Sequence, residues 1–194
     1  MDSEEEFHKD EIEKLYSDIT TKGLSLIIFA DWYNTSVIKA AKFFDENTKK
    51  LWTPVTGGSN IPAINDLLSP FGIAFGDRIF EGDFKIGDHS TNYASGSSII
   101  RFPNSPNGYL IYRDLVDQGE EFLKDSFNAT KQKKRSINQN VAILGLYQSE
   151  NNENTHSKPG RVVAYGDSNC LDSSHMKAGI LKIKTNFLVD KFNR

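Results

Sequence analysis

Cysteine is nearly absent from this sequence. Cys170 stands alone among 194 residues, so no intrachain disulfide can form. By itself that fits a reducing compartment or says nothing about the compartment. Long apolar runs are missing too: no stretch of about 18 apolar residues occurs, and no segment is expected to insert in a membrane as a helix. Charge of one sign is not in excess. Lys and Arg number 23 against 26 Asp and Glu, a formal net charge of -3. No field of that size would steer the chain to DNA, RNA or anionic lipid, so no nucleic-acid partner is expected. The opening Met1-Asp2-Ser3-Glu4-Glu5-Glu6 is acidic and lacks a basic start with an apolar run behind it. No secretory signal is read there, and a segment internal to a longer secreted chain would need none.

What is present suits one folded domain with a real core. Residues 9–21 place Ile12, Leu15, Tyr16 and Ile19 at the spacing of an amphipathic helix, with Gly23 as its stop. Leu24 to Phe29 reads as a buried strand. Asn60 to Leu68 reads as a second helix, capped by Asn60 and tolerant of Pro62 in its first turn. Residues 71–96 are rich in Gly and Asp and read as irregular surface structure with short strands. Ser97–Phe102 and Gly108–Tyr112 read as strands joined by a turn, and Asp114–Phe127 as a helix. Val141–Tyr147 and Arg161–Tyr165 are apolar strands, separated by a polar insert. Helices alternating with buried strands predict an α/β fold with a mostly parallel sheet flanked by helices and two loop insertions, leaving room for antiparallel pairs in the middle.

Several groups of residues have the chemistry of a site. Asp31 follows the first strong strand and Asp167 the last, where open α/β sheets bind ligands. Two carboxylates there would act as acid and base or hold a cation; the alternative is that each caps a helix or ties a turn. Thr56-Gly57-Gly58-Ser59-Asn60 precedes a helix and could cradle an anion with backbone N–H groups, or form only a turn and a cap. It carries neither the phosphate-loop Lys-Ser/Thr pair nor the dinucleotide glycine spacing. Gly166-Asp167-Ser168-Asn169-Cys170 resembles a strand-to-turn elbow with Ser168 at the nucleophile position, but Cys170 stands where the second glycine belongs. His175 follows too closely to match a known triad order. His8, His89, His156 and His175 have no zinc spacing, and Asp83, Asp88 and His89 fit a solvated loop. Lys131–Arg135 is basic but too short, and too poor in aromatics, for a nucleic-acid surface. Asn34-Thr35-Ser36 and Asn128-Ala129-Thr130 are N-glycosylation sequons.

Longer strings are more specific. Asp2-Ser3-Glu4-Glu5-Glu6, Gly23-Leu24-Ser25-Leu26, Asp31-Trp32-Tyr33-Asn34-Thr35-Ser36, Asp45-Glu46-Asn47-Thr48, Thr56 to Ala63, Tyr93-Ala94-Ser95-Gly96, Ile143 to Gln148 and Gly166 to Asp172 resemble, in order, the site-1 protease family. The resemblance implies an internal segment of a subtilisin-like serine endopeptidase, a type I membrane protein of the Golgi and endoplasmic reticulum. That enzyme makes the first lumenal cut in membrane-anchored transcription factors, including regulators of sterol synthesis. It implies an accessory α/β domain, glutamine-amidotransferase-like or flavodoxin-like and truncated on its N-terminal side, over residues 1–175, with a divergent tail at 176–194. No catalytic residue carries over, so the chain alone is expected not to be an enzyme, and no cofactor or metal is implied. The partners implied are the catalytic domain and its transcription-factor substrates. A lumenal setting would make Asn34 a more credible glycan site. Ser173 stands where the family has an aspartate, and after His175 the chain departs from the family's basic stretch, cysteine and aromatic-rich helix. The competing reading is a small α/β hydrolase, or an anion- or carbohydrate-binding domain, using the crevice around Asp31, Gly57, Gly58, Ser59, Asn60, Asp167 and Ser168.

Overall fold

The computed structural model describes residues 6–86, 89–118, 138–149 and 159–171. In chain order these form α1 (Lys9–Lys22), β1 (Leu26–Phe29), α2 (Thr35–Ala40), β2 (Phe43–Asp45), β3 (Lys50–Trp52) and α3 (Ile61–Leu68). Strands β4 (Ala74–Phe75), β5 (Phe80–Ile86), β6 (His89–Gly96), β7 (Ile99–Arg101), β8 (Gly108–Asp117), β9 (Asn138–Gln148) and β10 (Arg161–Tyr165) follow.

The helix ends obey local chemistry. The Glu11 carboxylate accepts the backbone N–H of His8 at 2.8 Å, closing the start of α1. Gly23 ends it in the left-handed region, φ 76°, where a residue without Cβ is at ease. The Asn60 side chain accepts the Ala63 N–H at 3.2 Å, and Pro62 sits in the first turn of α3. Both helices lay their apolar stripes on one face of the main sheet. Ile19 of α1 and Ile61, Leu67 and Leu68 of α3 pack with Ile28, Val162 and Ala164. Val163 and Tyr165, the alternate residues of β10, face a second cluster with Phe80, Phe84, Tyr93, Leu115 and Leu146. The period of two therefore makes β10 apolar on both sides, which is why Val162 to Tyr165 reads as one continuous run.

The six main strands lie in the order β1-β10-β9-β8-β5-β6. Only β1 and β10 run parallel; the other four neighbouring pairs are antiparallel. The mostly parallel, flavodoxin-like sheet expected from the sequence is thus corrected. The physical reason is connectivity. Strands β5–β6, β8–β9 and β9–β10 are successive in the chain and pair with one another, and a chain that turns back on itself makes an antiparallel pair. Bulges between Phe80 and Gly82 and between Ile111 and Tyr112 bend the sheet into a curve.

Two other expectations fail for related reasons. Residues 71–96, read as irregular surface structure with short strands, hold the long paired strands β5 and β6: Phe80 and Phe84 turn inward while Glu81, Asp83 and Lys85 turn out. Asp114 to Asp117, read as the start of a helix, instead ends β8, with Leu115 in the core; residues 119–127 lie outside the described set. Helix α2 and the β2–β3 hairpin were not anticipated.

Gly166 closes β10 where β6 ends. A Cβ there would stand 1.9 Å from the Ser97 carbonyl oxygen and 2.1 Å from the Tyr93 hydroxyl. Neither has room to retreat, since Tyr93 and Ser97 are fully buried. Gly166→Ala is expected to cost about 3 kcal/mol or more, read as a drop in the denaturant midpoint at unchanged slope.

Candidate functional site

The register that sets Phe29 beside Tyr165 brings the carboxyl ends of β1 and β10 together, and the Ala30 N–H donates to the Tyr165 carbonyl at 2.8 Å. Asp31 and Asp167 leave the two strands on the same side of this junction. The end of β6 arrives from the far edge of the sheet: the Ser97 N–H donates to the Gly166 carbonyl at 2.9 Å, and the Tyr93 hydroxyl to the Ser97 carbonyl at 2.5 Å.

Asp31 is the hub. Its Oδ1 accepts the Trp32 N–H at 2.7 Å and the Ser95 hydroxyl at 3.4 Å, and its Oδ2 accepts the Ser168 hydroxyl at 2.7 Å. Its backbone is held as tightly. The N–H donates to Ser59 Oγ at 2.9 Å, and the carbonyl accepts the Ser97 hydroxyl at 2.9 Å. Asp167 is fully buried; it accepts the Ala94 N–H at 3.0 Å on one oxygen and the Asn169 backbone and side-chain N–H groups at 3.0 and 2.8 Å on the other. Asn169 also donates to Ser95 Oγ at 3.2 Å, so one chain of hydrogen bonds joins the two aspartates. Burial pushes the Asp31 carboxyl above its usual range. The like charge of Asp167 adds to that shift, and the hydrogen bonds from Ser168, Trp32 and Ser95 oppose it.

The glycine loop closes over this carboxylate. A Cβ on Gly58 would stand 2.7 Å from Asp31 Cγ, and one on Gly57 would meet the Trp32 ring at 2.8 Å. The N–H groups of Gly58 and Ser59 point at the Trp32 carbonyl, at 2.9 and 3.4 Å, and so do not form an outward cradle. Asn60 turns away to cap α3. Of the residues singled out in the sequence, Asp31, Gly57, Gly58, Ser59, Asp167 and Ser168 therefore do converge. Ser95, Ser97 and Asn169 complete the cluster and were missed. Their serine and asparagine side chains carry no local signal, and only the sheet brings residues 95–97 to residue 31.

As chemistry, the arrangement is a brace. Each carboxylate oxygen has a donor, which suits tying three chain segments together better than moving protons. The Ser168–Asp31 contact is the one element a nucleophile would share. Among the described residues no group of three or more His, Cys, Asp or Glu side chains is placed to hold a metal ion. Cys170 is buried against the second core cluster. His8 caps α1, Asp83 accepts from Asn92 at 2.9 Å, and Asp88, His156, His175 and Lys131–Arg135 lie outside the described residues. Asn34 caps α2 through Oδ1, accepting from Ser36 and Val37 at 3.0 Å, while its Nδ2 donates to the Asp77 carbonyl at 2.9 Å; Asn128 lies outside the described residues.

Comparison with known proteins gives a consistent result. A family model described as MBTPS1, fourth GATase-like domain, matches residues 1–190. Membrane-bound transcription factor site-1 protease of Mus musculus and of Homo sapiens are each 49% identical over 175 residues, 90% of this chain and 15% of the relative. Subtilisin-like protease SBT6.1 of Arabidopsis thaliana is 46% identical over 176 residues, 91% of this chain and 16% of the relative. The chain thus spans about 15% of the length of the curated relatives it matches.

The raised Asp31 carboxyl sets a pH test. A proton held more tightly in the folded state than in the unfolded one contributes stability that is complete below about pH 4, the ordinary carboxyl value, and is lost as pH rises through the folded value. Asp31→Asn keeps an acceptor for Trp32 and a partner for Ser168 without the charge. Its melting midpoint at pH 7.5 is expected to equal or exceed that of the parent, with a flatter pH profile. Asp31→Ala strands those donors and is expected to cost about 2 kcal/mol.

Proposed function

This chain belongs to the family of the fourth GATase-like domain of site-1 protease, a non-catalytic accessory region of that protein, and from this premise we propose that it supports a subtilisin-like serine endopeptidase in the same polypeptide. In this reading the parent enzyme works in the lumen of the Golgi and endoplasmic reticulum. It makes the first lumenal cut in membrane-bound transcription factors such as those controlling sterol synthesis, and the domain holds the catalytic domain, or the substrate beside it, in place. The observation that carries the reading is the match over 90% of the chain to a relative whose printed name is a protease. The brace agrees with it, since Asp31 and Asp167 are spent on hydrogen bonds that hold the fold.

One contact favours a second reading. Ser168 lies 2.7 Å from a buried carboxylate, a pair that a small hydrolase could use. The two readings separate in one experiment on the longer protein, with cleavage of a membrane-anchored transcription-factor reporter as the readout. Removal of residues 1–175 is expected to reduce cleavage to background, and Ser168→Ala to leave it at the parental rate. Loss of cleavage, or of any esterase activity, on Ser168→Ala alone would favour the hydrolase.

A lumenal domain would also carry its glycan at Asn34. The residues beside it, Thr35 and Ser36, are exposed at the start of α2. Ser36→Ala breaks the sequon but leaves the Asn34 cap intact, so it is expected to abolish the gel shift that N-glycosidase treatment removes without lowering the melting midpoint.

A further inference from the structure

The β2–β3 hairpin holds a group of large apolar side chains that are exposed among the described residues. Phe43, Phe44, Leu51 and Trp52 are 59, 52, 60 and 50% exposed, and Val55 just beyond is 79% exposed. In the antiparallel register Phe43 stands opposite Trp52 and Phe44 opposite Leu51, so each face of the ribbon bears one apolar pair. Together with Val55 the two pairs offer roughly 500 Å² of apolar surface, divided between the two faces of the ribbon.

The hairpin is also pre-shaped. Asp45 accepts the Asn47 N–H at 2.9 Å and the Thr48 hydroxyl at 2.6 Å, and Trp52 Nε1 donates to Thr48 Oγ at 3.1 Å. Lys49 turns the chain through the left-handed region, φ 55°, and pairs with Glu46 at 2.6 Å. These bonds shape the turn before anything binds, which lowers the entropy lost on docking. A ribbon of two three-residue strands is marginal in water unless something packs on it.

We propose that this hairpin docks the domain onto another folded part of the same polypeptide, its apolar flanks lying in a groove of that neighbour. The proposal rests on the reading that the chain is one segment of a longer protease. The relatives are mostly other sequence, since the match covers 15% of them, and the family model is described as a fourth domain. Area points the same way. A stable complex of separate proteins needs about 800 Å² per partner, more than this patch, whereas tethering supplies a high effective concentration and lets a smaller surface suffice. A bilayer fits less well. The tip, Glu46-Asn47-Thr48-Lys49, is polar, and Lys42, Lys49 and Lys50 against Asp45 and Glu46 leave a surplus of one positive charge, too little for anionic headgroups.

The test places the photo-cross-linker p-benzoylphenylalanine at position 44 or 52 of the polypeptide that contains residues 1–194 in their native context. After irradiation, cross-links are mapped by mass spectrometry. The expected result is an adduct of monomer mass joining the hairpin to residues of the same polypeptide outside 1–194. The adduct from position 52 should disappear when Phe44→Ser and Leu51→Ser are introduced together. An adduct of dimer mass, an adduct to lipid or to a different protein, or no adduct would each overturn the docking proposal while leaving the accessory-domain reading intact. A native polypeptide of 194 residues would overturn both.

Discussion

The parallel pairing of β1 with β10 is the constraint on which the rest depends. These strands lie far apart in the chain, yet their register sets Phe29 beside Tyr165 and so places the two residues that leave the sheet, Asp31 and Asp167, at one junction. A shift of one residue would exchange the inward and outward faces of β10. Val162 and Ala164 would leave the helices, and Val163 and Tyr165 the second cluster. Ala164 and Tyr165 differ too much in size to trade places, so packing on both faces pins the register, and the register builds the brace.

That brace shows how residue types found in active sites can be engaged in hydrogen bonds that join chain segments. Two aspartates at strand ends, a glycine loop ahead of a helix and a serine in an elbow-like turn are the ingredients of a catalytic crevice. Here they meet, but the carboxylates are occupied by backbone and hydroxyl donors, and the glycines let the loop lie directly on Asp31. Burying two carboxylates is tolerated because every oxygen is paired. The assembly ties the ends of β1, β6 and β10 into one rim. The β2–β3 hairpin, by contrast, leaves its apolar groups exposed among the described residues.

Legibility followed the strength of local patterns. Helix α1 and helix α3 were readable because their apolar residues recur at helical spacing and their caps, Gly23 and Asn60, are chemical in nature. Strand β10 was readable residue for residue from its continuous apolar run. Strands β5 and β6 were legible only as short strands in an irregular stretch, although Phe80 and Phe84 alternate with charged residues. Gly82 and Asp83 between them look like loop residues, and the flanking Gly and Asp content hid a period of two. Asp114 to Asp117 looked helical because one buried leucine among charges suits either period. The hairpin at Phe43 to Trp52 escaped notice because its apolar residues sit in two short pairs around a polar turn.

The sequence by itself determined the class of the chain, its helix ends, its central buried strands and its kinship with a protease family. These are set by local spacing, capping and ordered strings of residues. Strand direction and the meaning of the candidate site were decided only by the tertiary structure. Whether a sheet is parallel depends on which strands become neighbours, and a carboxylate's role depends on which donors reach it. Ser95 and Ser97 reach Asp31 across more than 60 positions of sequence, 64 and 66 respectively, a proximity created by folding alone.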